Sequence, residues 1–86
     1  MLKLWHDEAW NQYLEWQNQD KRTLKKINQL LTDIDRNGYK CIGQAEPLKG
    51  NFAGYWSVRI NKKNRIVFRI DGNILEILQC GTHYDR

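Results

Sequence analysis

Apolar residues recur at intervals of three and four between Leu24 and Ile34, which places them on one face of an amphipathic helix. Asp20 stands just before this segment, where its carboxylate can accept hydrogen bonds from the first free amides of a helix. Asn37 and Gly38 follow the segment and readily adopt the left-handed conformation that ends a helix. The pattern therefore predicts a helix that begins after Asp20. Its buried face carries Leu24, Ile27, Leu30, Leu31 and Ile34.

A short strand and a first helix are predicted ahead of that segment. The residues from Leu2 to Trp5 have the pattern of a short strand, and Asp7 can cap the helix that follows them. One face of this helix collects bulky side chains at helical spacing. The residues expected to pack inward are Trp10, Tyr13, Leu14 and Gln17.

The period of the apolar positions changes to two after Gly38. Residues 55–60 and 65–70 alternate between apolar and polar side chains, as half-buried strands do. A third run, 74–80, follows the pair Asp71-Gly72, which favours a tight hairpin turn. The order of elements predicts an α+β fold with two N-terminal helices packed on one face of a twisted antiparallel sheet. The strand residues expected in the core are Trp56, Val58, Ile60, Ile66, Phe68 and Ile70.

The register of the first predicted hairpin follows from its core face. A loop over residues 61–63 keeps all apolar side chains on that face and sets Trp56 opposite Phe68. The same register sets Arg59 directly opposite Arg65 on the other, open face of the sheet. Directly opposed like charges destabilise an antiparallel pair. Two arginines forced together in this way suggest that an anion such as a phosphate is held between them.

The length of the chain indicates a single domain, residues 1–86, because 86 residues are too few to form two cores. No run approaches the roughly 20 apolar residues of a membrane span, and no secretory signal opens the chain. Cys41 and Cys80 do not form a CxxC pair, which argues against a zinc site and favours buried free thiols. We therefore expect a cytoplasmic protein that uses neither a metal nor a cofactor.

The formal charge of +4 is moderate, but cations crowd into the second half of the chain. Solvated strand edges often carry such lysines, so the charge alone favours an ordinary surface. A site for a polyanion is the more specific interpretation, and the opposed arginines favour it. The crowded cations are Arg59, Lys62, Lys63, Arg65 and Arg69.

Few side chains are candidates for acid–base chemistry. His6 lies at the predicted turn from strand to helix, where a structural role is expected. His83 follows the last predicted strand, and Glu46 precedes a proline, which favours extended or loop backbone. Taken alone, each of these two residues is typical of an ordinary surface. Together with the arginines they supply the acid, the base and the positive charge that cleavage of RNA at its 2′-hydroxyl requires.

Several motifs resemble the YoeB/Txe family, the toxins of bacterial toxin–antitoxin pairs within the wider RelE/ParE-like superfamily. The motifs occur in the family's order and spacing over nearly the whole chain. Two features depart from the best-known member, namely the pair Gly81-Thr82 and the extension Asp85-Arg86. The matching segments are DKR at 20–22, KKIN at 25–28, EPLK at 46–49, GYWSVRI at 54–60, NRIVF at 64–68 and CGTHY at 80–84.

The resemblance implies a microbial-ribonuclease-like sheet and an enzyme that cleaves messenger RNA in the ribosomal A site without a metal. It implies that Glu46 is the general base and His83 the general acid. Arg65 matches the position that stabilises the phosphorane. The positions implied to hold the phosphate and the substrate base are Lys49, Arg59 and Tyr84.

The resemblance also implies a cognate YefM/Axe-like antitoxin whose tail folds onto the toxin, a toxin that can dimerise, and a toxin–antitoxin complex that binds operator DNA. Two other functions remain open at this point. One is a ParE-like toxin that poisons a topoisomerase, and the other is a non-catalytic RNA-binding module. The set Glu46, Arg65 and His83 favours the nuclease, because neither alternative needs it.

Overall fold

The computed structural model describes residues 1–82, so His83 and Tyr84 lie outside the described residues. No helix in residues 1–82 is long and apolar enough to cross a membrane. The strands are β1 (Leu2–Trp5), β2 (Glu46–Pro47), β3 (Trp56–Arg59), β4 (Arg65–Asp71) and β5 (Ile74–Gly81); the helices are α1 (Asp7–Gln19) and α2 (Lys21–Asn37), and short 3₁₀ turns span Gly38–Lys40 and Gly50–Phe52.

The five strands form one sheet in the order β1-β5-β4-β3-β2, and α1 and α2 pack on one of its faces. The predicted α+β architecture is confirmed, and so is the antiparallel pairing of β3, β4 and β5. The short strand β2, which the sequence did not predict, extends this antiparallel part by pairing with β3. The prediction was wrong for β1, which pairs with β5 in parallel and makes the sheet mixed. The reason is the path of the chain. The two helices carry it to the far edge of the sheet, and the meander then returns to β1 in the direction that β1 itself runs.

Helix α2 begins and ends where its sequence predicts. The Asp20 side chain accepts hydrogen bonds from the amides of Arg22 and Thr23 at 3.1 and 3.3 Å, so its role as N-cap is confirmed. Gly38 ends the helix with a φ of 60°, a conformation that glycine adopts without strain. Ile27, Leu30, Leu31 and Ile34 are buried against the apolar face of the sheet, which is formed by Val58, Ile66, Phe68, Leu75 and Ile77.

Helix α1 is rotated relative to its predicted face. Ala9 is its buried residue, and Tyr13 and Trp16 pack against the core. Trp10 and Leu14, which the pattern predicts to point inward, are 43% and 40% exposed. The predicted cap is also displaced by one position. The N-cap residue is His6, which makes no side-chain capping bond, and Asp7 is the first residue of the helix.

Polar contacts to β5 explain the rotation of α1. Strand β1 stops at Trp5, opposite Ile77, so the part of β5 beyond this point has no strand on that side. Side chains of α1 take the place of the missing strand. The amide of Cys80 donates to Gln12 Oε1 at 2.7 Å, and Trp16 Nε1 donates to the Cys80 carbonyl at 2.8 Å. These bonds cover a backbone edge that would otherwise be open to pairing with another chain.

The predicted register of the first hairpin is confirmed. Trp56 pairs with Phe68, and Arg59 with Arg65. The second hairpin is also present, but its turn lies at Gly72 and Asn73, one position after the predicted pair Asp71-Gly72, because Asp71 still pairs with Ile74. Strand β5 contains a bulge at residue 78, which no periodicity in the sequence indicates.

Candidate active site

The face of the sheet that the helices leave uncovered, which we call the open face, carries most of the polar strand residues. Because side chains alternate along a strand, the neighbours of buried Val58 and Ile66 point to this open face. Residues that pair across strands point to the same face. The residues assigned to the open face in this way are Glu46, Ser57, Arg59, Arg65, Val67, Arg69, Glu76 and Gln79.

Glu46 is held at the edge of the sheet by the segment that precedes it. Asp33 on α2 accepts hydrogen bonds from the amides of Ile42 and Gly43 at 3.1 and 2.9 Å, which ties this segment to the helix. Glu46 then pairs with Ser57 on β3, and Pro47, which has no amide proton, lies on an edge strand that tolerates it. The Glu46 side chain is exposed to solvent on the open face.

Arg59 and Arg65 lie directly opposite each other, as the register predicted. Arg59 is exposed and Arg65 is half-buried. Nη1 of Arg65 donates to Oγ of Ser57 at 3.1 Å, and Ser57 is only 1% exposed. Within residues 1–82, neither arginine forms an ion pair with a carboxylate. The bond to Ser57 therefore fixes the Arg65 guanidinium beside the residue that pairs with Glu46, with its charge uncompensated by the described part of the chain.

Lys49 lies in the turn that joins β2 to β3. It precedes the 3₁₀ turn Gly50–Phe52, and its side chain is exposed. The base of this turn is closed by a hydrogen bond from the Leu48 amide to the Tyr55 carbonyl at 2.9 Å. Lys49 therefore follows Glu46 by three positions and is held at the same edge of the sheet.

The spacing of strands sets the size of the site. From strand separation and rise per residue, the Cα atoms of Glu46 and Arg59 are roughly 8 Å apart, and those of Glu46 and Arg65 roughly 12 Å. Their side chains are long enough to approach one small group from different sides. The arrangement can hold a tetrahedral anion between two guanidinium groups with a carboxylate next to it.

The end of β5 brings the chain to this site. Gly81 pairs with Arg65. It is buried, and a Cβ at this position would lie 3.1 Å from Nε2 of Gln12, so a larger residue would displace that side chain. The predicted general acid, His83, lies outside the described residues.

A second group of charged residues on the open face was not anticipated from the sequence. Its centre is Glu76, and we call the group the Glu76 cluster. Oε1 of Glu76 accepts from Nε and Nη2 of Arg69 at 3.0 and 2.7 Å. Oε2 lies 2.6 Å from Nε2 of His6 and accepts from the Tyr55 hydroxyl at 2.9 Å. The Arg69 guanidinium lies over the Tyr55 ring, 4.9 Å from its centroid.

These contacts shift the ionisation of the cluster. Burial opposes the charge of Glu76, but the hydrogen bonds from His6, Arg69 and Tyr55 outweigh it and lower the pKa of the carboxyl. Burial, together with the bond to the Glu76 carboxylate, raises the pKa of Tyr55. The bond to Glu76 also raises the pKa of Arg69. The cluster is thus a carboxylate held in its charged form by three donors.

Part of this cluster could have been found from the sequence. A two-residue turn at Gly72 and Asn73 sets Arg69 opposite Glu76, and opposite charges at paired positions attract. Nothing in the pattern indicates His6, because its contact with Glu76 depends on the parallel pairing of β1.

The described residues contain neither a metal site nor a reactive cysteine. Within residues 1–82, no group of three or more His, Cys, Asp or Glu side chains is arranged to hold a metal. Cys41 and Cys80 are buried and unbridged, which confirms the prediction of free thiols. Burial raises the pKa of the Cys80 thiol to about 12, so it remains protonated and unreactive.

Comparison with known proteins places this geometry in context. The family model described as YoeB-like toxin of bacterial type II toxin-antitoxin system matches residues 5–84. Toxin YoeB of Escherichia coli K12 is 43% identical over 84 residues, which cover 98% of this chain and 100% of that protein.

Solved structures agree with the sequence comparison. The YoeB/ParE toxin from Agrobacterium tumefaciens superposes with a TM-score of 0.91 at 42% identity, covering 98% of this chain and 100% of the other. The YoeB toxin from Staphylococcus aureus superposes with TM-scores of 0.89 in its complex with YefM and 0.88 as a dimer. Both comparisons are at 42% identity and cover 98% of this chain; they cover 99% and 98% of the other chain, respectively.

Proposed function

The chain belongs to the YoeB-like toxins of bacterial type II toxin–antitoxin systems, and from this premise we propose that it is an endoribonuclease that cleaves messenger RNA in the ribosomal A site. The observation that carries the proposal is the pair Arg59 and Arg65 on the open face, which no carboxylate of residues 1–82 neutralises, with Glu46 beside it. Like charges placed opposite each other are costly unless an anion joins them. A phosphodiester of RNA is such an anion.

The proposed reaction is a transesterification within the RNA. Glu46 accepts the proton of the 2′-hydroxyl, and the 2′-oxygen attacks the adjacent phosphorus. The bond from phosphorus to the 5′-oxygen breaks, and His83 gives the leaving oxygen its proton. The products are a 2′,3′-cyclic phosphate and a free 5′-hydroxyl. The imidazole suits the role of acid because it exchanges its proton near neutral pH.

Positive charge stabilises the pentacoordinate phosphorane between these two steps. Arg65 is the best oriented cation, because its bond to Ser57 fixes the guanidinium before substrate binds. Arg59 and Lys49 hold the phosphate from neighbouring positions, and Tyr84 is proposed to contact the substrate base. No step requires a metal or a cofactor.

Replacement of Arg65 tests the proposal most directly. We expect Arg65→Ala to lower the rate of cleavage on message-programmed ribosomes by about 10²–10³ while its circular dichroism stays that of the wild type. Lys62→Ala is the matched control, since it removes an equal charge from the exposed loop between β3 and β4. A folded Arg65→Ala protein that cleaves at the wild-type rate would exclude Arg65 from the mechanism.

Substrate analogues separate the roles of Glu46 and His83. A message with a 2′-deoxy nucleotide at the cleaved position should resist the enzyme, because the nucleophile is missing. His83→Gln should flatten the alkaline limb of the pH–rate profile. A 5′-phosphorothiolate substrate should largely rescue this variant, since sulfur leaves without a proton. Cleavage of the 2′-deoxy message at the same site would exclude transesterification.

The proposed partners follow from the relatives. The Staphylococcus aureus toxin occurs both in a complex with YefM and as a dimer. We infer that this chain is likewise neutralised by a YefM-like antitoxin, whose acidic segment covers the open face, and that it can dimerise. The toxin–antitoxin complex is proposed to bind operator DNA. Action on translating ribosomes would place the toxin in the cytoplasm.

One assay distinguishes the nuclease from its two alternatives. Induced expression of a nuclease truncates messages and leaves DNA intact. A ParE-like toxin would instead produce DNA breaks through a topoisomerase. A non-catalytic RNA-binding module would do neither, although the pair Arg59 and Arg65 suits it as well.

A further inference from the structure

We propose that the Arg69 guanidinium is a stacking platform for a nucleobase of single-stranded RNA, a few nucleotides away from the phosphate that Arg65 contacts. The inference rests on the proposed function, because it adds a second contact for the same substrate on the same face of the sheet. It concerns the Glu76 cluster, which the proposed reaction does not use.

The guanidinium is held from two sides, by the Glu76 carboxylate and by the Tyr55 ring. Two of its nitrogens donate to one carboxylate oxygen of Glu76, at 3.0 and 2.7 Å. Its carbon lies 4.9 Å from the centroid of the Tyr55 ring, and the Tyr55 hydroxyl is itself bonded to Glu76. Even so, 44% of the Arg69 side chain remains exposed. A flat cation is therefore fixed before binding, with room for another flat group against it.

The charge of Arg69 is neutralised, which distinguishes it from the two arginines of the candidate active site. Glu76 forms an ion pair with Arg69, whereas Arg59 and Arg65 have no such partner within residues 1–82. A neutralised cation attracts phosphate weakly. Its planar surface, however, can still stack on a base, as guanidinium planes do in RNA recognition.

The position of Arg69 suits a base that flanks the cleaved bond. Arg65 and Arg69 are four residues apart on β4 and point to the same face, so their Cα atoms are about 13 Å apart. Stacked nucleotides advance about 3.4 Å each, so this distance corresponds to at most about four nucleotides. Val67 lies between the two arginines on this face, and its aliphatic side chain introduces no competing charge. Leu4, which pairs with Glu76 and is 48% exposed, adds an apolar border.

A purely structural role is the competing explanation, since the pair Arg69 and Glu76 also joins β4 to β5. Arg69→Lys separates the two roles. Lysine keeps the charge and can still pair with Glu76, but it has no plane on which a base can stack. Arg36→Lys, the same exchange at an exposed arginine of α2, serves as the matched control.

The test uses a short single-stranded 2′-O-methyl RNA and a series in which one nucleotide at a time is abasic. These probes cannot be cleaved through the 2′-oxygen, so their binding does not depend on catalysis. We expect one abasic position to weaken wild-type binding about ten-fold. Arg69→Lys should bind the intact probe about ten-fold more weakly than the wild type, and that abasic position should cost it nothing further. The salt dependence of binding should be the same for both proteins.

Nuclear magnetic resonance gives a readout that needs no variant. The ring current of a stacked base should move the Arg69 Nε–Hε resonance upfield when the intact probe is added, and the critical abasic probe should leave it unmoved. Each of three outcomes would contradict the proposed stacking. The intact probe does not bind, the Arg69 resonance does not move, or the abasic position weakens binding equally in the wild type and in Arg69→Lys. The cleavage assay on Arg65→Ala is independent, so failure of the ribonuclease proposal would be recognised separately.

Discussion

Glu76 is a carboxylate whose charge depends on its neighbours, and this dependence can be measured. Its pKa lies below the usual value of 4.5, so its ionised form is favoured by folding. The resulting stabilisation is complete above pH 4.5 and is lost as the pH falls through the lower, folded-state pKa. We expect Glu76→Gln to lower the free energy of unfolding by about 1–2 kcal/mol near neutral pH. Urea denaturation should show this difference shrinking below pH 4.5, and a constant difference down to pH 3 would contradict it.

Arg59 should behave differently from Arg65 when it is replaced by alanine. Arg59 is exposed and faces a like charge, so Arg59→Ala relieves a repulsion and should leave stability unchanged or raise it by a few tenths of a kcal/mol. The same change should weaken cleavage, because one phosphate contact is lost. Thermal melting and ribosome cleavage assays on both variants check this. Marked destabilisation by Arg59→Ala would mean that the opposed arginines are not a strain on the fold.

At the scale of residues, the sequence revealed those contacts that register alone decides. The alternation of apolar residues is sufficient to place Arg59 opposite Arg65. It could not reveal the bond from Arg65 to Ser57, which depends on how one long side chain turns along its strand. Nor could it reveal the contact of His6 with Glu76, which joins two distant segments.

At the scale of elements, α1 offers a test of burial. Leu14 is 40% exposed, so Leu14→Gln should change the free energy of unfolding by no more than about 0.5 kcal/mol. Ile27 on α2 is fully buried, so Ile27→Ala should lower it by about 2–5 kcal/mol. Urea denaturation of the two variants measures both values. A loss above about 2 kcal/mol for Leu14→Gln would instead support the face of α1 that the periodicity predicts.

The two helices were not equally predictable, and the reason is chemical. Helix α2 packs through aliphatic side chains, so its periodicity reports its buried face directly. Helix α1 packs partly through hydrogen bonds with the backbone of β5, in which Gln12 accepts from the Cys80 amide and Trp16 donates to the Cys80 carbonyl. The pattern of apolar residues contains no information about such bonds. It therefore predicted that Trp10 and Leu14 lie on the buried face of α1, and this prediction was wrong.

At the scale of the whole molecule, the basic charge predicts how the rate of association with the antitoxin depends on salt. The chain carries a net charge of +4, and the open face holds two unneutralised arginines among the described residues. An acidic partner should associate more slowly as salt rises, because exposed charges are screened beyond about 8 Å at physiological ionic strength. Stopped-flow mixing at several salt concentrations measures this rate. A rate independent of salt would point to an apolar interface instead.

The two helices, four of the five strands and the two layers followed from the sequence, whereas the short strand β2 and the parallel pairing of β1 did not. Local periodicity and turn residues identify strands and hairpins, since both are decided within a few positions. The parallel pairing of β1 with β5 is decided by the path of the two helices across the sheet. No local pattern carries that information.

This parallel pairing has a consequence for when the protein can fold during its synthesis. The contact between His6 and Glu76 joins positions 70 apart, and β1 has no other strand to pair with in the described sheet. Closing so long a loop early brings no compensating contacts, so the N-terminal part must wait for β5 to be made. Nascent chains arrested before Ile74 should therefore be digested by protease, whereas chains whose β5 has left the exit tunnel should resist. A toxin built in this way would therefore stay inactive until the ribosome that synthesises it has translated β5.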